Sequence, residues 1–513
     1  MSDDVTTDPM VPEQPKGVDR SAQPDLINLK AIPTSTAQEV ETDVLRPVVF
    51  SNDNSFCRFE LEPKGFLSPT SSISLGVTAP GGIKRAQFPI NIGVHSLIQR
   101  AVLKTSSGRV ICDMDDFSYF DTLKSTFIDN TTQQERDQYV CGRCVNWDGF
   151  YTLPTDATKL YEFNTEASKM VLQNGKEYGG EKVDSNGDYS EGLTPRNFTV
   201  VSAEAERSGL SPTFSVRIYE LFPFLKSGNQ LPLFMMGSDR VQIELYFTDI
   251  ASTDRMVLSK EDEASTGASF TIDQNTCEFI SDHIFYPGQM EAWASRNKNL
   301  TFQYFDYVVN RQLITSADDG TDNSTQITRQ IGGAGRIVTR AYAGFRPKTV
   351  TGIDDRAIFN TFQARGMEKD GAKDNVGELE SNLFYNEFYL YPINVKNGAR
   401  HYHNLRDAEK KQLYVPRELY SNGGRLLPAT GDGATVHYDG RTQDQMKASQ
   451  FWQGWRLNRG ERVGSKGIEI TMNTQDGERT RGGLADGTYI LTSWTEQLRY
   501  ATMKDGQLEV FWS

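Results

Sequence analysis

Alternation of apolar and polar residues is the clearest pattern along the chain. Between positions 241 and 247, apolar side chains occupy every odd position, while Gln, Glu and Tyr occupy the even ones. The segment 213–219 shows the same alternation, with Phe214, Val216 and Ile218 as its apolar members. Strict alternation is typical of an antiparallel strand with one buried face and one solvent-facing side. The pattern therefore predicts β-sandwich sheets.

Similar strand patterns recur in both halves of the chain. They cover 72–78, 95–117 (two strands around a Ser-Ser-Gly turn), 299–314, 335–347, 382–395 and 467–475. Near the end, Asp505-Gly506 predicts a tight hairpin turn, because both residues tolerate positive φ. No repeat of 20–50 residues is present, which argues against propellers and solenoids. One sandwich in each half is the simplest interpretation.

Helix formers without strand alternation predict a few short inserted helices. These segments are 121–140, 354–365 and 399–414.

The length of 513 residues exceeds one ordinary domain. We expect a flexible N-terminal arm over 1–45, because this polar stretch cannot bury enough apolar surface to become ordered. It could remain a free tail or dock on a neighbouring subunit or inner layer. A first sandwich is expected over 46–255, a connector over 256–285, which could include a first strand of the second half, and a second sandwich over 286–513.

Charge and cysteine usage narrow the function classes. The formal net charge of −14 does not indicate a basic surface that binds nucleic acid. Five scattered cysteines do not form a secreted disulfide framework, and the acidic N-terminus has no secretory signal, so we expect a reducing compartment. No apolar run of about 18 residues suggests a membrane span.

The segment Cys141-Gly142-Arg143-Cys144 is the only CxxC pair in the chain. A structural zinc site needs four ligands, and His401 and His403 lie far away in the other half. Because those histidines are two apart, a helix would turn them to different sides. Ordinary packing is the favoured interpretation, with zinc or a disulfide left open.

Two acidic clusters are candidate ion sites. Asp113, Asp115 and Asp116 lie beside Cys112, and a second group starts like a calcium loop at Asp184, Asn186 and Asp188. The EF-hand pattern then fails, because Tyr189 replaces its Gly and Pro195 replaces its Glu. A solvated loop is the favoured interpretation, while a different calcium site at a subunit contact stays open.

Gly332, Gly333 and Gly335 precede a strand and lack the Lys and Ser/Thr of a phosphate loop, so they predict a turn. No Gly-x-Ser-x-Gly elbow is present. We therefore expect no catalytic, cofactor-binding or metal-binding residues, no cofactor and no enzyme activity.

Three segments carry a resemblance to a known family. In 218–249, Leu231-Pro232-Leu233 precedes the alternating strand that ends at Phe247. This resembles the close of the first domain in double jelly-roll major capsid proteins. Segment 88–111 looks like the early strands of the smaller members, from polinton-like viruses and virophages, and 495–513 is similar to their last hairpin. The lineage also includes the nucleocytoplasmic large DNA viruses.

The resemblance implies an all-β fold of two consecutive eight-stranded jelly rolls with short inserted helices. It also implies a homotrimer that forms a pseudo-hexagonal capsomer and tiles an icosahedral shell around a double-stranded DNA genome. The chain would be assembled inside the host cell and reside in the virion. Its partners would be neighbouring capsomers, penton proteins and minor capsid or cement proteins. Given the acidic charge, an inner membrane or another protein would contact the genome.

The sequence is also compatible with two alternative functions. One is a minor capsid or penton protein with a single jelly roll. The other is a carbohydrate-binding β-sandwich that uses exposed tryptophans as a stacking platform. The tryptophans available for this are Trp147, Trp293, Trp452, Trp455, Trp494 and Trp512.

Overall fold

Most of the described chain consists of β-strands. The computed structural model describes residues 38–78, 86–88, 92–125, 140–141, 151–152, 162–163, 199–201, 213–227, 229–248, 257–258, 270–316, 326–347, 380–395, 398–409, 452–457, 462–473 and 487–512.

Seventeen strands are described before residue 290. They are β1 (Glu39–Leu45), β2 (Val49–Phe50), β3 (Phe56–Glu60), β4 (Phe66–Leu67), β5 (Ser72–Thr78), β6 (Ala86–Gln87), β7 (Ile98–Thr105), β8 (Val110–Asp115), β9 (Tyr151–Thr152), β10 (Glu162–Phe163), β11 (Thr199–Val201), β12 (Thr213–Arg217), β13 (Leu231–Pro232), β14 (Val241–Phe247), β15 (Val257–Leu258), β16 (Thr271–Ile272) and β17 (Glu278–Phe285).

Nine more strands are described after residue 290. They are β18 (Asn299–Ser316), β19 (Gln326–Gly332), β20 (Val338–Pro347), β21 (Glu380–Tyr385), β22 (Phe388–Tyr389), β23 (Gln453–Arg456), β24 (Ile468–Asn473), β25 (Gly487–Lys504) and β26 (Gln507–Trp512). The described α-helices are α1 (Phe117–Ser125), α2 (Ile218–Leu221), α3 (Pro223–Lys226), α4 (Met290–Arg296) and α5 (Gly398–Glu409). Short 3₁₀ helices span Gly93–Leu97 and Leu233–Met235.

The first sandwich consists of two antiparallel sheets. One has the order β12-β5-β17-β4-β13, with β1 added to β17 and β16 added to β5. The other has the order β2-β3-β14-β7-β8. Apolar side chains fill the space between them, and the rings of Phe59 and Phe279 meet there with centroids 5.9 Å apart. The remaining described strands before residue 290 form the small groups β11-β6-β15 and β9-β10.

The second sandwich has its own pair of sheets. The larger has the order β18-β25-β20-β23, with β26 also on β25, and the smaller has the order β19-β24-β21-β22. Strands β18 and β25 pair without interruption along 18 residues. Trp452 and Trp494 are fully buried with ring centroids 5.3 Å apart, so large aromatic side chains fill this core.

Several sequence predictions are confirmed by these elements. Asp505 and Gly506 have φ of 50° and 79° and close the predicted hairpin between β25 and β26. Helix α5 lies within the predicted segment 399–414 apart from its first residue. Helix α1 overlaps the start of the predicted segment 121–140, whereas the predicted helix at 354–365 lies outside the described residues.

Two predicted strands are wrong in extent. The segment 382–395 covers the end of the short strand β21 and the whole of β22 rather than one strand, because Asn386 and Glu387 have φ of 50° and 70° and turn the chain back. The alternating segment 213–219 also ends early, since helix α2 begins at Ile218. In both places local backbone geometry interrupts an apolar pattern that would suit a longer strand.

Strand β14 also differs from the prediction of one solvent-facing side. Gln242 and Glu244 point away from the core but are only 8% and 5% exposed. The strand lies in the middle of its sheet between β3 and β7. Long neighbouring side chains therefore cover its polar face, and Lys104 Nζ lies 2.7 Å from Glu244 Oε1.

The predicted flexible arm over 1–45 is wrong for its last seven residues. Strand β1 pairs antiparallel with β17 from Glu39↔Phe285 to Leu45↔Phe279. Backbone hydrogen bonds to an existing sheet supply the ordering that the polar composition lacks. Strand β17 falls in the segment expected as a connector, 256–285, yet it is an integral strand of the first sandwich.

The two sandwiches share a packed interface. On the first sandwich it is formed by β8, α1 and α3, and on the second by β18 and β25. The hydroxyl of Tyr304 donates to the carbonyl oxygen of Ile111 at 2.6 Å. The ring of Phe120 lies 5.7 Å from that of Trp494, and Phe224 lies 5.0 Å from Tyr304. Aromatic packing thus joins the two halves.

Candidate assembly surface

Exposed large apolar side chains are concentrated at the edges of the sheets. They are Val40 and Val44 on β1, Phe305 and Leu313 on β18, Phe388 and Tyr389 on β22, Phe511 on β26, and Val48 and Ile393 in adjoining segments. We call these nine residues the edge apolar set. Ile393 is 74% exposed and Leu313 is 56% exposed. Such exposure leaves apolar surface in water, where it favours association.

The strands that carry this set have unpaired backbone edges. Among the described strands, β1 pairs with β17 alone, β18 and β26 with β25 alone, and β22 with β21 alone. Free N–H and C=O groups on an edge can pair with another chain, and many proteins protect such edges with charged residues. Here apolar side chains accompany the open edges. This combination is typical of a surface that becomes covered on assembly.

Strand β1 is held on its sheet by a cluster of charges around Lys64. The Lys64 ammonium contacts the carboxylates of Asp43 and Glu41 on β1 and that of Glu62. The hydrogen bond to Asp43 and those to the two glutamates raise the pKa of Lys64, while burial opposes the shift. Lys64 therefore fastens the strand that carries Val40 and Val44.

A buried ion pair lies inside the interface between the sandwiches. Arg499 Nη1 donates to Asp306 Oδ2 at 2.5 Å and to the carbonyl oxygen of Ile111 at 3.1 Å. The other oxygen of Asp306, Oδ1, has no hydrogen-bond partner among the described residues. Burial raises the pKa of Asp306 to about 6, although Arg499 opposes the shift. The pair fixes β18 and β25 against β8.

The acidic cluster noted in the sequence is neutralised by arginines. Asp113 accepts two hydrogen bonds from Arg100, at 2.7 and 2.5 Å. Asp115 pairs with Arg311 on β18, and Arg311 Nε lies 3.7 Å from the buried carboxylate of Asp116. These carboxylates therefore serve contacts within the first sandwich and across the interface.

The other candidate ion sites from the sequence are the CxxC pair, the calcium-like segment and the two histidines of α5. Cys141 is buried, while Cys144 and the calcium-like segment 184–195 lie outside the described residues. His401 is 2% exposed and His403 is exposed, so the two histidines do face different sides of α5. Within the described ranges, no three His, Cys, Asp or Glu side chains are grouped so as to hold a metal ion. In those ranges, no helix is long and apolar enough to span a bilayer.

The glycine-rich segment forms the predicted turn. Gly332, the last residue of β19, has a φ of 107°, and Gly333 and Gly335, which precede β20, have φ of 81° and 68°. A Cβ on Gly333 would lie 2.9 Å from Val338 Cγ2, so a side chain would be both strained and crowded there.

The described tryptophans do not form an exposed stacking platform. Trp293, Trp452, Trp455 and Trp494 are buried in the cores. Trp512 is partly exposed, but the guanidinium groups of Arg499 and Arg336 lie 4.0 and 4.9 Å from its ring centre. Trp147 lies outside the described residues. Nothing in the described part of the chain therefore favours the carbohydrate-binding alternative.

The edge apolar set was not identified from the sequence. The signal was present in β18, where apolar residues occupy both alternating positions around Tyr304 and Phe305. A strand with apolar residues on both faces has either two buried faces or a second face that awaits a partner. Only the position of β18 at the edge of its sheet distinguishes these cases.

No protein-family model and no curated protein matches this sequence. Solved structures do match its fold. A chain of the PBCV-1 virus capsid has a TM-score of 0.52 and 10% identity, with 94% of this chain and 98% of that chain covered. A chain from the Sputnik virophage structure has a TM-score of 0.51 and 10% identity, with 94% and 90% covered. The two consecutive sandwiches therefore have the double jelly-roll fold, and the resemblance in the sequence is confirmed at the level of fold.

Proposed function

We propose that this chain is a structural capsid protein, the major building block of a viral shell. The observation that carries the proposal is a double jelly-roll fold whose open sheet edges bear the edge apolar set. A monomer would gain nothing from apolar side chains beside unpaired strands, whereas a subunit of an assembly covers them.

The finer proposal is a homotrimer with a pseudo-hexagonal outline that tiles an icosahedral shell around double-stranded DNA. Two consecutive sandwiches in one chain would give six similar units in a trimer. Closed symmetry of this kind buries the same surface on every subunit. Neighbouring capsomers, penton proteins and minor capsid or cement proteins are the proposed partners, and an inner membrane would be compatible with the acidic charge.

The division of the chain is part of this proposal. We place the first jelly roll between β1 and β17 and the second from the residues after β17 to the end of the chain. The pairing of β1 with β17 supports this division. Residues before β1 would form the part of the arm that reaches a neighbour or an inner layer.

Electron microscopy of the purified chain tests the assembly proposal. We expect particles with a three-fold, nearly hexagonal outline, which at high concentration pack into sheets or closed shells. A minor capsid or penton protein would instead form a different oligomer in the purified sample. Its copy number in each virion would also be low. Small irregular monomers, together with binding on a glycan array, would contradict the capsid role.

A further inference from the structure

Two buried cysteines face each other across the first sandwich. Cys57 lies on β3 and Cys277 directly precedes β17, in the opposite sheet. Their sulfur atoms are 4.0 Å apart, and both side chains are fully buried. Both are free thiols in this structure.

The backbone around the pair is firmly placed. Cys57 is in register with Phe50 on one side and Leu245 on the other. The Cys277 N–H donates to the carbonyl oxygen of Asp273 at 3.2 Å. Two residues further along both strands, Phe59 and Phe279 also meet across the core. The two sheets are therefore held at a fixed separation where the sulfurs meet.

A disulfide requires the sulfurs to approach to about 2 Å. The remaining gap of about 2 Å lies within reach of side-chain rotation on both cysteines, because staggered rotamers move a sulfur by more than this distance. We propose that Cys57 and Cys277 are a redox-responsive pair that forms a disulfide between the two sheets under oxidising conditions.

The reaction is thiol–disulfide exchange with a small disulfide such as oxidised glutathione. One cysteine thiolate attacks a glutathione sulfur, forms a mixed disulfide and releases one glutathione thiolate. The second cysteine then attacks the protein sulfur of the mixed disulfide and releases the other glutathione. In sum, two protein thiols lose two electrons and two protons, and one glutathione disulfide becomes two glutathione thiols.

Burial controls when this exchange can take place. It raises the pKa of the Cys57 thiol, and the contact with Cys277 raises it further. The closed sandwich therefore keeps the Cys57 thiol protonated and shields both sulfur atoms from oxidants. Exchange takes place during folding or when β1 and β17 open transiently, and the reformed sandwich then brings the sulfurs together.

The crosslink would stabilise the first sandwich. It joins positions 220 residues apart, and a link across so long a loop removes much of the freedom of the unfolded chain. In one respect the inference rests on the proposed function, because a shell protein made in a reducing cell would meet oxidising conditions after release.

The experiment compares the purified full chain after incubation and after refolding in reduced and in oxidised glutathione. Free thiols are then alkylated under denaturing conditions, and the peptides are analysed by mass spectrometry. We expect an intramolecular Cys57–Cys277 disulfide, seen as the loss of two hydrogens from the joined peptides. We also expect the oxidised chain to melt roughly 5–15 °C higher than the reduced one.

Matched variants identify the cause of this shift. Cys57→Ala and Cys277→Ala should each abolish the crosslink and the oxidation-dependent rise in melting temperature. Cys112→Ala removes another fully buried cysteine and should retain both. The inference is overturned if both thiols remain free after refolding in oxidised glutathione, if they pair with other cysteines, or if the crosslinked chain melts lower. Because each readout is made on the isolated chain, the outcome is independent of whether the chain forms a capsid.

Discussion

Arg499 and Asp306 form a buried ion pair between the two sandwiches, with Nη1 and Oδ2 2.5 Å apart. The two residues lie on the paired strands β25 and β18, and their side chains are 9% and 2% exposed. Arg499 also donates to the carbonyl oxygen of Ile111 on β8. The guanidinium group of Arg499 therefore links strands β25 and β18 of the second sandwich to the edge strand β8 of the first sandwich.

This pair predicts a pH dependence of stability. The folded pKa of Asp306 is about 6 against an ordinary value of 3.8, so between these values the folded state binds a proton that the unfolded state does not. The contribution of Asp306 to stability is therefore fully present below about pH 4 and is lost as pH rises through 6. The difference of about two pKa units corresponds to roughly 3 kcal/mol.

Asp306→Asn tests this sign, because asparagine resembles the protonated acid. Relative to the native chain, the variant should gain up to about 3 kcal/mol between pH 4 and 6.5, measured by denaturant unfolding at each pH. A relative loss over this range would mean that Arg499 lowers the pKa of Asp306 and that the ionised pair is net favourable.

The Tyr304 hydroxyl is expected to stabilise the interface through its bond to Ile111. Tyr304→Phe should lower the free energy of unfolding by about 1 kcal/mol, because a buried hydrogen bond is lost with little change of shape. Tyr500→Phe, on the adjacent strand, is the control, since the Tyr500 hydroxyl has no hydrogen bond to a described residue. Equal effects in denaturant titrations of the two variants would show that the Tyr304 bond contributes nothing specific.

Gly506 combines a turn conformation with a contact to the first sandwich. A Cβ there would lie 2.7 Å from the carbonyl oxygen of Met235, and φ is +79°. Gly506→Ala should therefore destabilise the chain by about 2–4 kcal/mol, from backbone strain together with overlap. Gly108→Ala is the matched control, because Gly108 has φ of +86° and no atom within 4 Å of the added Cβ.

The Gly108→Ala control should lower the free energy of unfolding by only about 1–2 kcal/mol. The difference in unfolding free energy between these variants then measures the contact with Met235. If both variants lose the same free energy of unfolding, the hairpin tip makes no close contact with the first sandwich.

Elements that depend on a few neighbouring residues could be predicted from the sequence, whereas elements that depend on distant pairing could not. The turn at Asp505-Gly506 depends on the φ of two residues, and the sequence predicted it. The extra strand β1 did not follow from its composition, because its order comes from pairing with β17, more than 230 residues away. The small cost of closing a long loop lets such pairing outweigh a polar local sequence.

The candidate surface was less predictable than the fold. The alternation in 241–247 predicts a strand, but it does not reveal that β14 lies in the middle of its sheet and is covered on both faces. Leu313 is likewise indistinguishable in sequence from a core leucine, and its exposure follows from the edge position of β18. The Cys57–Cys277 contact was missed for the same reason, since it depends on which strands face each other across the core.

The edge apolar set should contribute to association rather than to folding. Leu313→Asp places a charge on an exposed apolar position of β18 and should weaken the oligomer while leaving the melting temperature of the monomer unchanged. Asn299→Asp adds the same charge at an exposed polar position of the same strand. Sedimentation velocity should show a shift toward monomer for Leu313→Asp alone. A similar shift for both variants would indicate general charge repulsion.

The mass of the purified chain in solution tests the proposed function most directly. Size-exclusion chromatography coupled to light scattering should give a stable species with three times the chain mass of 57.6 kDa. A trimer that persists on dilution is the predicted result, because a subunit interface that covers exposed apolar edges should be large. A species that remains monomeric at every concentration, also after treatment with oxidised glutathione, would contradict the capsomer account.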